Sequence, residues 1–205
     1  MMTWPKDANR IVVMFATQAS ATHASPTTNA DHGPNQDEDV DVDLYVIDSS
    51  NRNILQHGTD TITSDAITLN YIGLDRTDYA SRLSAPVFGL TTSHSHIGCA
   101  GYSKSSIHLY VASGKTVNGI LSEIATSTSQ GMCGTACEYT RRRRDLRFSG
   151  PAGQRYPDLY IGEKSKVGKD NPKGPKGACN TTNSQNEYKL HFDGVQYPIS
   201  EPLEY

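Results

Sequence analysis

The chain has 205 residues, 36% of them hydrophobic and 20% charged, with a formal net charge of −3. That length holds one large domain, or one domain with an appendage, and suffices to bury a core. Mean hydropathy is −0.55, and no apolar run approaches the roughly 20 residues that a spanning helix needs, so a helical integral membrane protein is excluded.

Residues 1–38 read as a flexible N-terminal segment with a possible signal remnant. Lys6 and Arg10 precede IVVMFA, and QASA follows. That is the order of a positive region, an apolar region and a small-residue cleavage site. The alternative is a first β-strand. Residues 17–38 carry Ser, Thr, Pro and Asn without hydrophobic periodicity, as a linker does. Residues 39–205 are expected to form a single β-rich domain.

In that domain VDVDLYVID alternates, with Val40, Val42, Leu44 and Val46 on one face. SSNRN is a turn, and ILQHG completes a hairpin. DAITLNYIGL, APVFGLT and SIHLYVAS read as further strands. Val117, Ile120, Leu121 and Ile124 then fall at i, i+3, i+4 and i+7, which predicts a helix at about 116–127. Ser113 would cap it, and Gly131 lies beyond its end. DLRFSG and YPDLYIG are strands. Residues 164–187 read as a long Lys/Gly/Pro/Asn loop. YKLHFDGVQYPIS reads as a strand, an Asp-Gly turn and a second strand. The fold class expected is α+β and β-rich: a twisted antiparallel sheet with one main helix.

Cys99, Cys133, Cys137 and Cys179 form a small, even set. That fits two disulfides in a secreted protein, with three possible pairings. Cys133–Cys137 with Cys99–Cys179 is the pairing expected. Asn180 opens an NTT glycosylation sequon. HSHIGC places His94, His96 and Cys99 close together, and His108, Cys133 or Cys137 could complete a metal site. The spacing matches no standard finger, so no metal is expected. DEDVDVD lacks the Gly and terminal Glu of a calcium loop and reads as the acidic entry to a strand. There is no Gly-rich phosphate loop, GxSxG or HExxH, and no cofactor is expected.

Charge is uneven. Residues 141–176 hold eleven Lys and Arg: Arg141, Arg142, Arg143, Arg144, Arg147, Arg155, Lys164, Lys166, Lys169, Lys173 and Lys176. A basic block of this kind points to RNA or another polyanion. A solvated loop, a processing site at RRRRD, or an acidic half of the chain (residues 31–48 hold DEDVDVD and no Lys or Arg) that docks on the basic half are the alternatives.

The order strand, helix, Gly-rich turn, Tyr-Pro strand, basic loop, YKLHF resembles the fungal guanyl-specific ribonucleases and ribotoxins over about residues 107–200. In that family a Tyr-Pro-His strand carries a catalytic His and a later strand carries a Glu. Here the matching positions are Asp158 in YPD and His191 in YKLHF. The chain therefore departs from the family at both. The resemblance implies an acid/base pair of Asp158 and His191, with Arg155, Arg147 or Lys189 as the cation. The basic block, with Lys189, gives the expected RNA-binding surface: Arg141, Arg142, Arg143, Arg144, Arg147 and Lys189. Arg52 and His57 are candidates for the family's remaining Arg and His. The function expected is a secreted, ribonuclease-like and toxin-like protein that binds RNA or a partner protein, with weak or lost cleavage. The alternative is a non-enzymatic β-sandwich interaction module.

Overall fold

The computed structural model describes residues 1–4, 7–18, 39–64, 68–79, 83, 85–96, 101–131, 137–151, 153–171, 173–174, 178–200 and 203. Among them are eleven strands. They are β1 Met2–Trp4, β2 Asp7–Gln18, β3 Val40–Asp48, β4 Ile54–Ile62, β5 Thr68–Asp75, β6 Val87–His96, β7 Tyr102–Ser113, β8 Thr116–Gly131, β9 Tyr139–Ser149, β10 Asp158–Asp170 and β11 Cys179–Leu190. The sheet runs β1-β2-β3-β4-β8-β7-β6-β5. Its neighbours are antiparallel except at β4–β8, a parallel contact at His57 and Thr116. The far end of β8, from Ser127 to Gly131, pairs with β9, and β9 continues into β10 and β11.

The expected main helix is absent: residues 116–131 are strand β8. Ser113 pairs with Thr116 across Gly114 and Lys115, and Gly114 has φ +60°. This is a two-residue hairpin turn whose first central residue needs positive φ, rather than a helix cap. The helix-like spacing has a second cause. The β7–β8 register slips at Ser105/Ser106, Ile107/Leu109 and Leu109/Tyr110. Each irregularity resets the alternation of side chains, so Val117, Ile120, Leu121 and Ile124 all become buried at intervals of three and one. The strand can bury residues of either phase because apolar layers cover both faces of β7 and β8. Ile107, Leu109, Val111, Ile120, Leu121 and Ile124 belong to one core cluster with Leu159, Ile161 and Phe148. Tyr110, Ala112 and Val117 belong to a second with Val12, Val42, Leu44 and Val46. Both clusters follow from the period-2 pleat.

The N-terminal IVVMFA run forms part of β2, which pairs with β3 from Arg10↔Asp48 to Gln18↔Val40. The expected loop at 164–187 is mostly the β10–β11 hairpin, with Lys164↔Gln185 and Asp170↔Cys179 in register. This ribbon runs past the core, and residues Cys179–Glu187 are exposed along its edge. With no buried face there, the sequence carries no apolar alternation to announce a strand. The expected strand after the Asp-Gly turn is also absent. Asp193 Oδ1 accepts from the amides of Val195 and Gln196 at 2.8 Å each, which closes the turn. Tyr197 then anchors the segment, its amide donating to Ile120 O at 2.7 Å and its hydroxyl to Pro157 O at 2.7 Å.

Cys137 bonds Cys179, with Cα atoms 5.2 Å apart and a sequence separation of 42. Neither expected pairing forms, because β10 lies between β9 and β11 and brings the lead-in of β9 beside the start of β11. Cys99 and Cys133 lie outside the described residues, as does Lys176. In the chain-entropy picture a loop of this length is worth roughly 4 kcal/mol.

Two stability outcomes follow. Leu121, 1% exposed, is expected to cost about 2–5 kcal/mol as Leu121→Ala, read as a lower urea midpoint. Gly58 lies where β4 meets β8, and a Cβ there would collide with the Val117 carbonyl. Gly58→Ala is therefore expected to destabilise the protein, whereas Gly131→Ala, with open space around it, is expected to leave the midpoint nearly unchanged.

Candidate functional site

The pleat divides RRRR. In β9, Arg142, Arg144, Leu146 and Phe148 share one face, and Arg141, Arg143, Asp145 and Arg147 the other. Arg144 is buried and pairs with Glu163 at 2.8 Å, while its guanidinium also donates to Leu203 O at 3.1 Å. Asn186 donates to the second Glu163 oxygen at 3.3 Å. Arg144 thus holds β9, β10 and the C-terminal segment together and does not reach the outer surface.

The outward face of β9–β11 collects Arg141, Arg143 and Arg147, while Arg142 shares the face of Arg144. The cross-strand rows are Arg147/Tyr160/Lys189, Asp145/Gly162/Glu187, Arg143/Lys164/Gln185, Arg141/Lys166/Asn183 and Tyr139/Gly168/Thr181. Two of these rows, with Ser127, border a groove of about 400 Å³ lined by Arg141, Arg143, Lys164, Lys166, Asn183 and Gln185. The intervening row, Arg142, Ser165 and Ser184, has the opposite phase of the pleat and also borders the groove. Same-face rows lie roughly 6.7 Å apart along a strand, close to the repeat of phosphates on an extended nucleic-acid strand.

A tyrosine stands at each end. Tyr160 lies between Arg147 and Lys189, at 5.2 and 5.5 Å from its ring centroid. Tyr139 carries Arg141 at 5.1 Å and Lys166 at 6.0 Å. A hydrogen bond with Thr181, together with Lys166 and Arg141, holds the Tyr139 phenol below its ordinary pKa. Gly168 leaves room for that ring, since a Cβ there would strike it. Among the described residues the ion pairs on this face are Arg147–Glu187 at 3.1 Å and Lys189–Asp158 at 2.8 Å. Arg141, Arg143, Lys164 and Lys166 have no carboxylate partner there.

Asp158 and His191 meet at the base of the same face. His191 Nδ1 donates to Asp158 Oδ1 at 2.7 Å, and Lys189 donates to Oδ2 at 2.8 Å. A carboxylate only accepts, so the contact puts the proton on Nδ1 and leaves Nε2 as the free acceptor in neutral His191. The hydrogen bond from Lys189 holds the Asp158 carboxyl below its usual range against a smaller effect of desolvation, and His191 adds to the lowering. The same contact raises Lys189. Arg155 is exposed and lies over Tyr156, 5.5 Å from its centroid, and Tyr156 stacks on Phe192 at 4.0 Å. Arg52 and His57 lie instead in the β3–β4 hairpin, where His57 contacts Asp43 at 2.9 Å.

The sequence reading missed Tyr139, Tyr160, Lys164 and Lys166 as one surface with the arginines. The i, i+2 spacing of Lys164 and Lys166 was the available signal, hidden by reading the segment as a loop. His94 is buried in β6 and His96 is exposed, and no group of three metal-capable side chains occurs among the described residues. His108 is buried, and that burial lowers its pKa.

Two outcomes test this arrangement. Arg144→Ala strands a buried carboxylate and is expected to cost about 3–5 kcal/mol, whereas Arg144→Met with Glu163→Leu is expected to recover most of that loss. Asp158 has a folded-state pKa below its unfolded value, so its stabilising effect is present above the unfolded carboxylate pKa and is lost as pH falls through the folded one. Asp158→Asn is expected to flatten the acid limb of a stability–pH profile in that window and, because the same contact raises Lys189, to flatten the basic limb through the lysine range as well. No protein-family model, curated protein or solved structure matches the chain.

Proposed function

We propose that the protein binds single-stranded RNA along the outward face of β9–β11. The observation that carries this reading is the groove between the Arg143/Lys164 and Arg141/Lys166 rows, with a cation-flanked tyrosine beyond each end. Four cations without a carboxylate partner suit successive phosphates, and exposed aromatic faces suit unstacked bases. The Asp145/Gly162/Glu187 row is acidic. It separates the basic groove from the Tyr160 end, so phosphate contacts concentrate between β9 and β10 near Ser127 and Asn183. A disulfide is compatible with an extracellular location, and secretion belongs to the same proposal.

The Asp158–His191 contact supports a second reading, slow RNA cleavage. A 2′-hydroxyl must lose a proton, the leaving oxygen must gain one, and a cation must face the phosphorane charge. The His191 Nε2 acceptor is the group available for the first step. Lys189 and Arg147 supply cations on the same face, but each is tied to a carboxylate. That tie weakens both as transition-state partners, and binding with little cleavage is the functional conclusion.

Fluorescence anisotropy with a single-stranded oligonucleotide, taken across a salt series, tests both readings. Arg141→Ser with Arg143→Ser is expected to reduce the slope of log affinity against log salt by roughly 1.4, about 0.7 for each lost phosphate contact. Tyr139→Ala is expected to weaken binding by about 1–3 kcal/mol if a base stacks there, with the salt slope unchanged. His191→Ala is expected to leave binding intact and remove any cleavage. No association at micromolar protein and low salt would refute the RNA reading.

A further inference from the structure

A second outward face carries the opposite character. On β2–β4 the buried hydrophobic residues are Val12, Val42, Leu44, Val46 and Ile62, and the alternate positions Ile11, Val13, Phe15, Asp41, Asp43, Tyr45 and His57 point away from the core. An outward sheet face is ordinarily polar. This one presents Phe15, 58% exposed, edge-on to Tyr45 at 5.9 Å, with Tyr45 stacked on His57 at 4.4 Å. Asp43 and Asp41 stand beside this aromatic row, Asp43 on His57 and Asp41 accepting from the Thr61 hydroxyl at 2.9 Å. A side chain that is both planar and cationic satisfies such a surface best, since a guanidinium stacks on aromatic rings while pairing with a carboxylate.

The chain itself displays such side chains. Arg141, Arg143, Lys164 and Lys166 have no carboxylate partner among the described residues, and they stand with Tyr139 on an open three-stranded face. We infer that the aromatic–acidic face of β2–β4 docks the basic face of β9–β11 of a second copy, joining chains head to tail. Packing β2–β4 against itself about a two-fold axis would set Asp41 and Asp43 near their own equivalents, and like charges at a contact disfavour it. The head-to-tail contact removes that repulsion. It pairs two different patches and can repeat from chain to chain. Three strands at about 4.8 Å spacing form a small patch, so the contact belongs with weak encounters that bury less than about 1,200 Å² in total. It uses the same basic face as the RNA reading but does not depend on RNA binding.

Sedimentation velocity tests this on the full chain. The wild-type chain is expected to associate at about 100 µM in roughly 0.05 M salt and to dissociate in roughly 0.5 M salt, where the Debye length shortens severalfold. Asp41→Lys with Asp43→Lys, and separately Arg141→Glu with Arg143→Glu, are each expected to sediment as monomers. Mixing these two variants is expected to restore association, because each then offers a complementary face to the other. A misfolded variant could not give that rescue. A monomeric wild-type chain at low salt overturns the inference. So does association that survives both substitutions, or a mixture that stays monomeric. The Asp41/Asp43 variant keeps its RNA face, so its oligonucleotide binding is expected to match wild type. A chain that assembles but binds no RNA would refute the RNA reading alone.

Discussion

The β7–β8 hairpin is the constraint on which the rest depends. It is long, it turns on two residues at Gly114 and Lys115, and its middle is covered on both faces. A strand pair exposed on one face can bury only alternate residues. A pair covered on both can bury nearly all of them, and β7 does so from Ser106 to Ala112. Each fully buried aliphatic side chain contributes about 1.5–3 kcal/mol relative to its exposed form. The hairpin therefore supplies hydrophobic stabilisation to two layers at once. One layer is the β1–β4 group, reached through the Gly58–Val117 approach. The other is β9–β11 with the C-terminal segment, reached through Ile120, Leu121 and Ile124.

That arrangement explains where the candidate site lies. The two ends of β8 diverge, one pairing with β4 and the other with β9. The basic ribbon is carried outward from the core by the far end of β8. Near the core its inward face is apolar, with Leu159, Ile161 and Phe148. One step further the inward face holds the Arg144–Glu163 pair, and beyond that come the rows Arg142/Ser165/Ser184 and Thr140/Val167/Thr182, with no large apolar side chain but Val167. The buried ion pair marks the transition from packed sheet to projecting ribbon. Removing two charges from water is costly, and this pair is tolerable because Asn186, Ala125 and Leu203 supply further hydrogen bonds. The Cys137–Cys179 bond closes the ribbon at its far end, where no apolar core is available to do so.

The outward face of the ribbon is electrostatically unfinished in the isolated chain. The cations nearest the core are matched: Arg147 by Glu187 and Lys189 by Asp158. Those further out are not. Like charges in adjacent rows repel, and the ribbon tolerates them because each side chain remains solvated. A bound polyanion, or an acidic face of another copy, would relieve that repulsion. Both readings use the same property of the surface, which is why salt dependence is their common signature.

Much of the strand content was legible in the sequence. VDVDLYVID, SIHLYVAS and DLYIG carry strict alternation or compact apolar runs, and β3, β7 and β10 contain them. Asp158 and His191, paired through the ribonuclease resemblance, are 2.7 Å apart, with His191 one residue beyond the end of β11. What the sequence could not decide was the meaning of a helical spacing at 117–124, because bulges that shift side-chain phase leave no local mark. Nor could it decide which arginines of RRRR are external, since that depends on which face of β9 the core covers. The same holds for the disulfide, whose partner for Cys137 is fixed by β10 lying between two strands. Local chemistry thus determined the strands with a one-sided apolar alternation and the excess of basic charge between residues 141 and 176. Only the tertiary structure assigned faces and partners, because burial on either side of a pleat is a property of the neighbours and not of the strand itself.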